Sequence, residues 1–518
     1  MTFLNGGLHT AQKQLNFNNL NFHSSLVSHR LCTFQCILAL VLALFFAVGC
    51  VTHPARMRQY QNDLSQGRQL DAGFSRQKLD PASKDGMLLL LERFRLWQLQ
   101  GDSQASTADF LLLHDYDRRL AEQSPQIALS RLLQEGAAVL LNEQVLPYRM
   151  SDFERVMLYQ LQIFNSMRDA PENLLPLVNN LSVYQQSIRD RYADLAEKLE
   201  NSLRSAANPG AAAAWQNISQ NEDFLRQSAE SSRVASQLAS VENAYAYYFC
   251  ALFFEKQGKL GDAYLAYKSA WQLQRQNQCF LRDYLRLAKK IGKSEEIKEF
   301  PQLALAEALP ESHGELIVFF EEGYVPGKRS VKLPPIPIPT AHGLLLINIA
   351  LPQYEAAQYA STPALISHAG SSWQTELACD LRALALKELD AQMPAIVLRL
   401  ALRQIARGTA NYALLKGADS IQEPGGRELA QFLLHLQQFL TYALEEPDLR
   451  SWLMLPNYTQ VARLTLPAGK QQISFQYRNQ QQTLPVNIVA GAATILHCSS
   501  VPGRLCFAQA QLPENGWN

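Results

Sequence analysis

The chain has 518 residues, of which 47% are hydrophobic and 18% are charged, and its 47 basic residues balance its 47 acidic residues. A hydrophobic fraction of this size is typical of globular chains, and the length predicts two or three domains. The balanced charge argues against a nucleic-acid partner, because phosphate backbones are bound by strongly basic surfaces.

The first predicted element is a secretion signal that ends at Cys50. An apolar run of twelve residues, Ile37–Val48, follows Lys13 and Arg30. This length fits the hydrophobic part of a signal peptide and is short for a membrane-spanning helix. The four residues that end at Cys50 resemble a bacterial lipobox, which predicts removal of residues 1–49 and lipid attachment to the cysteine. An uncleaved signal anchor and a plain buried helix remain the alternatives.

Residues 50–85 are predicted to be a tether behind the lipid anchor. The segment is polar, and Gly67, Gly73 and Pro81 interrupt any regular pattern, so we expect at most short helices. Val51 replaces the aspartate that retains many lipoproteins at the inner membrane. By resemblance to enterobacterial sorting, this favours the outer membrane, with the protein on the periplasmic side and held by lipid on Cys50.

Residues 86–305 are predicted to form a helical domain, because apolar residues recur there at helix spacing. Predicted helices at 244–257 and 262–275, with the turn at Gly258, resemble a tetratricopeptide repeat (TPR). The small and aromatic residues that carry the resemblance in the second helix are Ala263, Tyr267 and Ala270.

Two segments look like weaker copies of this hairpin, 88–117 with a turn at Gly101 and 153–185 with a turn at Asp169. Stacked hairpins need neighbours to bury their apolar faces, so we expect a TPR-like α-solenoid of three or more irregular repeats. An ordinary helical bundle is the alternative. Either way, the fold class is mostly α with a β-containing C-terminal part.

Residues 306–518 are predicted to form an α+β domain. Strand-like runs at 314–324 and 343–354 precede two helices at 375–417 and 426–446. The tail then alternates polar and apolar residues and looks like a small β-sandwich. We expect strands from both ends of this region to share one sheet.

The cysteines near the C-terminus leave several arrangements open. Cys498 and Cys506 flank a Pro-Gly turn, and an oxidising periplasm would allow a disulfide between them. Two free buried thiols are the main alternative. A zinc site with His497 has only three candidate ligands, whereas structural zinc takes four, so we predict no metal site.

Elsewhere in the sequence, one polar and aromatic group is unusual, Arg450 with Trp452. Arg450 fits a carboxylate or a sugar, and Trp452 fits a stacking platform, so both are candidate contacts for a partner or ligand. The structural alternative is a salt-bridged strap between the last helix and the first tail strand. The chain has no nucleotide-binding loop, zinc-protease motif or nucleophile elbow, so we expect no enzyme and no cofactor.

Taken together, the chain resembles a family of uncharacterised Gram-negative lipoproteins with a helical repeat region and a C-terminal mixed domain. The resemblance rests on Cys50, on the repeat around 242–270, on GELIVFFEEGYVPGKRSVKLP and on residues 447–469. It implies an envelope location and partnership with other envelope proteins. We therefore expect an outer-membrane scaffold or adaptor for protein partners, with a cell-wall or polysaccharide binding module as the alternative and an unrecognised enzyme as a third class.

Overall fold

The computed structural model describes residues 52–123, 146–204, 215–238, 240–301, 309–340, 343–420, 426–433 and 446–512. The predicted signal peptide 1–49, the lipidation site Cys50 and the predicted boundary between residues 305 and 306 lie outside these ranges. No helix in the described part of the chain combines the length and the apolar character that crossing a bilayer requires.

Helices dominate the chain before residue 300. In chain order they are α1 (His53–Ser65), α2 (Ala72–Ser75), α3 (Gly86–Gln100), α4 (Ser103–Gln123), α5 (Asp152–Asp169), α6 (Leu174–Arg204), α7 (Glu222–Ser236), α8 (Ala244–Lys256), α9 (Leu260–Leu273), α10 (Gln278–Lys290) and α11 (Ser294–Lys298). Local signals set several ends. α3 stops at Gly101, whose φ of 86° is a left-handed conformation that suits glycine. Asn277 caps α10 by accepting a hydrogen bond from the Phe280 amide.

The three helix pairs that the apolar spacing predicts are present. α3 and α4 turn at Gly101, α5 and α6 turn after Asp169, and α8 and α9 turn at Gly258. Further contacts join α4 to α5, α6 to α8 and α9 to α10. Ala263 and Ala270 of α9 are fully buried, and such small side chains let packed helices approach closely.

Strands follow, interrupted by one long helix, α12 (Leu381–Asp419). They are β1 (His313–Glu322), β2 (Lys328–Lys332), β3 (Ile336–Thr340), β4 (Gly343–Ile347), β5 (Ala350–Tyr354), β6 (Leu365–His368), β7 (Ser371–Gln374), β8 (Glu376–Asp380), β9 (Tyr458–Pro467), β10 (Gly469–Tyr477), β11 (Gln480–Ile488), β12 (Ala493–Val501) and β13 (Arg504–Gln511). A five-stranded sheet has the order β13-β12-β1-β9-β8, and a four-stranded sheet has the order β11-β10-β6-β7. β2 pairs with β5 and β3 with β4.

β1 lies at the centre of the five-stranded sheet, parallel to β12 and antiparallel to β9. Strands from both ends of the C-terminal region therefore share a sheet, as the sequence predicts. Along β1, Ile317 and Phe319 pack into the core beneath the helices, while Leu316, Val318 and Phe320 pack against the four-stranded sheet. Burial of both faces explains why β1 is a continuous apolar run.

Two predicted elements differ from the structure. The helix expected from residue 375 begins at Leu381, because residues 376–380 form β8 and pair with β9. The Asp380 carboxylate caps the helix by accepting a hydrogen bond from the Ala383 amide at 2.9 Å. The strand expected at 343–354 is divided into β4 and β5, each paired with a different strand.

The segment expected to act as a tether contributes side chains to the main core. Tyr60 and Leu64 of α1 and Phe74 of α2 are buried there. The Tyr60 and Phe74 rings stack with their centroids 5.2 Å apart. Gln61 donates a hydrogen bond to the Leu453 carbonyl, so α1 also contacts the chain just before β9.

Candidate functional site

Arg450 binds groups of its own chain. Its guanidinium donates to the carbonyls of Lys84 at 2.9 Å and Leu146 at 3.0 Å, and it pairs with Asp85 at 3.0 Å and Asp448 at 2.7 Å. Its side chain is only 13% exposed. These contacts are internal and salt-bridged, as in the alternative to a ligand contact, but they join Arg450 to the chain before α3 and to Leu146, and not the last predicted helix to the first tail strand.

Trp452 is enclosed in the core, with 1% of its surface exposed. Its ring meets the Phe94 ring edge to face at a centroid distance of 6.1 Å, and its amide donates to Glu154 at 2.9 Å. A stacking platform for a sugar needs an open ring face. Trp452 has no such face in this structure, so it does not support saccharide binding.

Residues 446–457, which we call the strap, are held mainly by buried acceptors. The Glu92 carboxylate of α3 is fully buried and accepts the amides of Leu453 at 2.8 Å and Met454 at 3.0 Å. At the other end, the Asn457 amide donates to the Glu322 carbonyl of β1 at 2.9 Å. The strap therefore ties a helix to the central strand.

Cys498 and Cys506 are free thiols. In the β12–β13 ladder Cys498 lies opposite Phe507 and Cys506 lies opposite Ser499. Because side chains alternate between the faces of a sheet, the two cysteines project to opposite faces. The structure thus corresponds to the free-thiol alternative and not to the disulfide.

His497 takes part in a buried cluster around Glu321. Its Nε2 lies 2.9 Å from the carboxylate, Ser499 donates to the same carboxylate at 2.9 Å, and Arg95 of α3 also pairs with it. Burial by itself raises the pKa of Glu321, but Arg95 and His497 lower it to about 2. The serine donates to the carboxylate and the histidine lies beside it, so the cluster joins α3 to the sheet and is not arranged as a catalytic relay. Among the described residues, no group of three acidic, histidine or cysteine side chains is placed to hold a metal ion.

A cavity of about 420 Å³ lies among α6, α9, α12 and the loop before α8. On each of the three helices, lining residues recur three or four positions apart, a spacing that places them on one helix face, and on α9 the adjacent Leu273 joins them. They are Arg189 and Tyr192 of α6, Ser269, Gln272 and Leu273 of α9, Lys387 and Ala391 of α12, and Ser240, Val241 and Glu242 of the loop. Its size falls in the range of small-ligand sites.

The acidic group of this cavity is already neutralised. The Glu242 carboxylate accepts two hydrogen bonds from Arg189, at 3.0 and 2.8 Å, one from Ser240 at 2.7 Å and one from Tyr247 at 2.8 Å. The hydrogen bonds to Glu242 raise the pKa of Arg189. Arg189 and Glu242 therefore add little net charge to the site.

Lys387 is the remaining cation of the lining. Its Nζ donates to the Leu238 carbonyl at 2.8 Å, and no carboxylate of the described residues lies within salt-bridge distance of it. Tyr192 also lines the cavity, and burial and the charge of the nearby Glu388 raise the pKa of its hydroxyl. Glu388 in turn accepts the Asp152 amide at 2.9 Å and the Phe153 amide at 3.2 Å, the first amides of α5.

Sequence reasoning did not find this cavity, because its charged residues come from three separate segments of the chain. Each of them, taken singly, is typical of a solvated surface. The one local signal was Glu242 directly before Asn243, the residue that caps α8. Comparison of the chain with protein families, with curated proteins and with solved structures finds no match.

Proposed function

We propose that this protein is an outer-membrane lipoprotein that acts on the periplasmic side as a scaffold or adaptor for other envelope proteins. The anchor in this proposal is lipid on Cys50, and its support is the apolar run Ile37–Val48 followed by small residues and a cysteine. Confinement to a surface raises the effective concentration of partners, which suits an adaptor.

The helical part supports the adaptor role through its connectivity. Helix pairs α3–α4, α5–α6 and α8–α9 pack in chain order, and this order is typical of helical repeats. We propose that they form an irregular TPR-like solenoid, in which neighbouring pairs cover one another. Solenoids of this kind use surfaces built from several repeats to hold a partner segment.

The cavity among α6, α9 and α12 is the observation that carries the proposal. It is concave, its walls combine apolar groups with charged side chains, and three helices build it jointly. Such a site fits a segment of another molecule better than a flat polar surface does. In contrast, Arg450 binds groups of its own chain, and the buried Trp452 has no open ring face for a ligand.

Photo-crosslinking in cells tests this role. The full chain would carry benzoylphenylalanine in place of Gln272, which lines the cavity, or in place of Arg282, an exposed residue of α10 outside it. We expect a discrete crosslinked product with an envelope protein at position 272 and none at position 282. Equal labelling at both positions, or no product at 272, would contradict the adaptor role.

A further inference from the structure

The cavity that supports the adaptor role also indicates the chemistry of its ligand. Glu242 is fully engaged by Arg189, Ser240 and Tyr247, so it has no acceptor to spare for a cationic ligand. Lys387 is the cation of the lining that has no carboxylate partner among the described residues. An ammonium has three N–H donors, and the Leu238 carbonyl, its one hydrogen-bond acceptor among the described residues, takes only one of them.

Two neutral donors lie in the same lining. Ser269 and Gln272 of α9 face the cavity, and their side chains have no hydrogen-bond partner among the described residues. A hydroxyl and an amide NH₂ can each donate a hydrogen bond to a carboxylate oxygen of a ligand, as an ammonium can. The site thus offers a cation and two donors to an acidic group.

The rest of the lining is apolar. Val241, Leu273, Ala391 and the ring of Tyr192 form the other walls. A free inorganic anion would leave these walls without contact, whereas a carboxylate attached to an apolar chain would cover them. Charge and shape together favour an acidic group carried on a polypeptide segment.

We propose that the cavity binds a carboxylate on an extended segment of a partner protein, with Lys387 as the cation and Ser269 and Gln272 as the neutral donors. This inference rests on the proposed adaptor function and names the chemistry of its partner. The carboxylate is either a chain terminus or an acidic side chain, and the two sources present the same group to Lys387.

Peptide binding to the detergent-solubilised full-length protein tests the inference. Three dye-labelled peptides share the sequence Gly-Ser-Gly-Ala-Leu: one has a free carboxyl terminus, one is amidated, and one is amidated with glutamate in place of its alanine. We expect fluorescence anisotropy to give affinities at least about tenfold higher for one or both carboxylate peptides than for the amidated peptide. The stronger of the two identifies the source of the group.

Matched variants connect the binding to the cavity. Lys387→Gln keeps a donor for the Leu238 carbonyl but removes the charge. We expect this variant to bind the carboxylate peptides about tenfold or more less tightly than the wild type does. Lys290→Gln, at an exposed position of α10, should leave binding unchanged. Ser269→Ala, a smaller change that preserves the fold, should weaken binding about threefold.

Equal binding of the amidated and carboxylate peptides, or unchanged binding by Lys387→Gln, would overturn the inference. Absence of binding by all three peptides would overturn it too. The adaptor role has a separate readout, the crosslink at position 272. A crosslink without carboxylate dependence leaves the adaptor in place and removes only the assigned chemistry.

Discussion

At the scale of single residues, buried carboxylates with several donors stand out. Glu92, Glu154, Glu321, Glu322 and Glu388 are each at most 4% exposed. Each accepts hydrogen bonds from groups distant in sequence, such as the strap amides on Glu92 and the first amides of α5 on Glu388. An unpaired buried charge costs several kcal/mol, so removal of a partner is far more harmful than loss of a surface pair.

Glu321 gives a prediction with a defined pH dependence. Replacing it by glutamine leaves Arg95 without its carboxylate in the core, so we expect the free energy of unfolding at pH 7 to fall by about 3–5 kcal/mol. The pKa of Glu321 is lowered from 4.5 to about 2 in the folded protein. The stability that its charge supplies is therefore complete above pH 4.5 and lost as the pH falls toward 2, on the order of 3 kcal/mol.

Urea unfolding of the wild type and Glu321→Gln at pH 5, 4 and 3 measures this dependence. The difference between the two proteins should shrink as the pH falls, because protonated glutamate and glutamine have similar charge. Glu295→Gln is the matched control, since its side chain is 83% exposed and surface pairs contribute about 0–1 kcal/mol. A difference that stays constant from pH 5 to pH 3 contradicts the assignment.

At the scale of elements, local pattern predicts the helices well and long-range pairing decides the strands. The pairs α3–α4, α5–α6 and α8–α9 follow from apolar spacing and from turns at Gly101, Asp169 and Gly258, all of which act within a few residues. The local sequence pattern does not predict β8. Residues 376–380 precede a strongly helical segment, and they become a strand because β9 pairs with them.

The contacts of Arg450 give a prediction about how the strap, residues 446–457, stabilises the protein. Arg450→Ala removes hydrogen bonds to two carbonyls and ion pairs to Asp85 and Asp448. We expect a loss of about 2–3 kcal/mol in the free energy of unfolding, measured by urea denaturation. Arg68→Ala, at a side chain 65% exposed, should change it by less than about 0.5 kcal/mol. Unchanged stability of Arg450→Ala would favour an external contact for this residue instead.

At the scale of the whole molecule, the residues from Met57 onward form one compact unit. The five-stranded sheet lies between the helices and the four-stranded sheet, and its central strand contributes to both cores. The mixed fold class was predictable from periodicity. The cavity was not, because α6, α9 and α12 meet only through tertiary packing, which leaves no mark on the local pattern around Arg189 or Lys387.

The processing of Cys50 is the most direct test of whether this protein is an adaptor held at the outer membrane by lipid. The full chain and Cys50→Ala would be expressed in a Gram-negative host and followed by lipid labelling, apparent mass and membrane fractionation. Processing at Cys50 predicts label and membrane association for the wild type, with loss of label and release of the variant from the membrane fraction. Unchanged mass, with membrane retention of the variant, would instead mean an uncleaved signal anchor and would contradict the outer-membrane account.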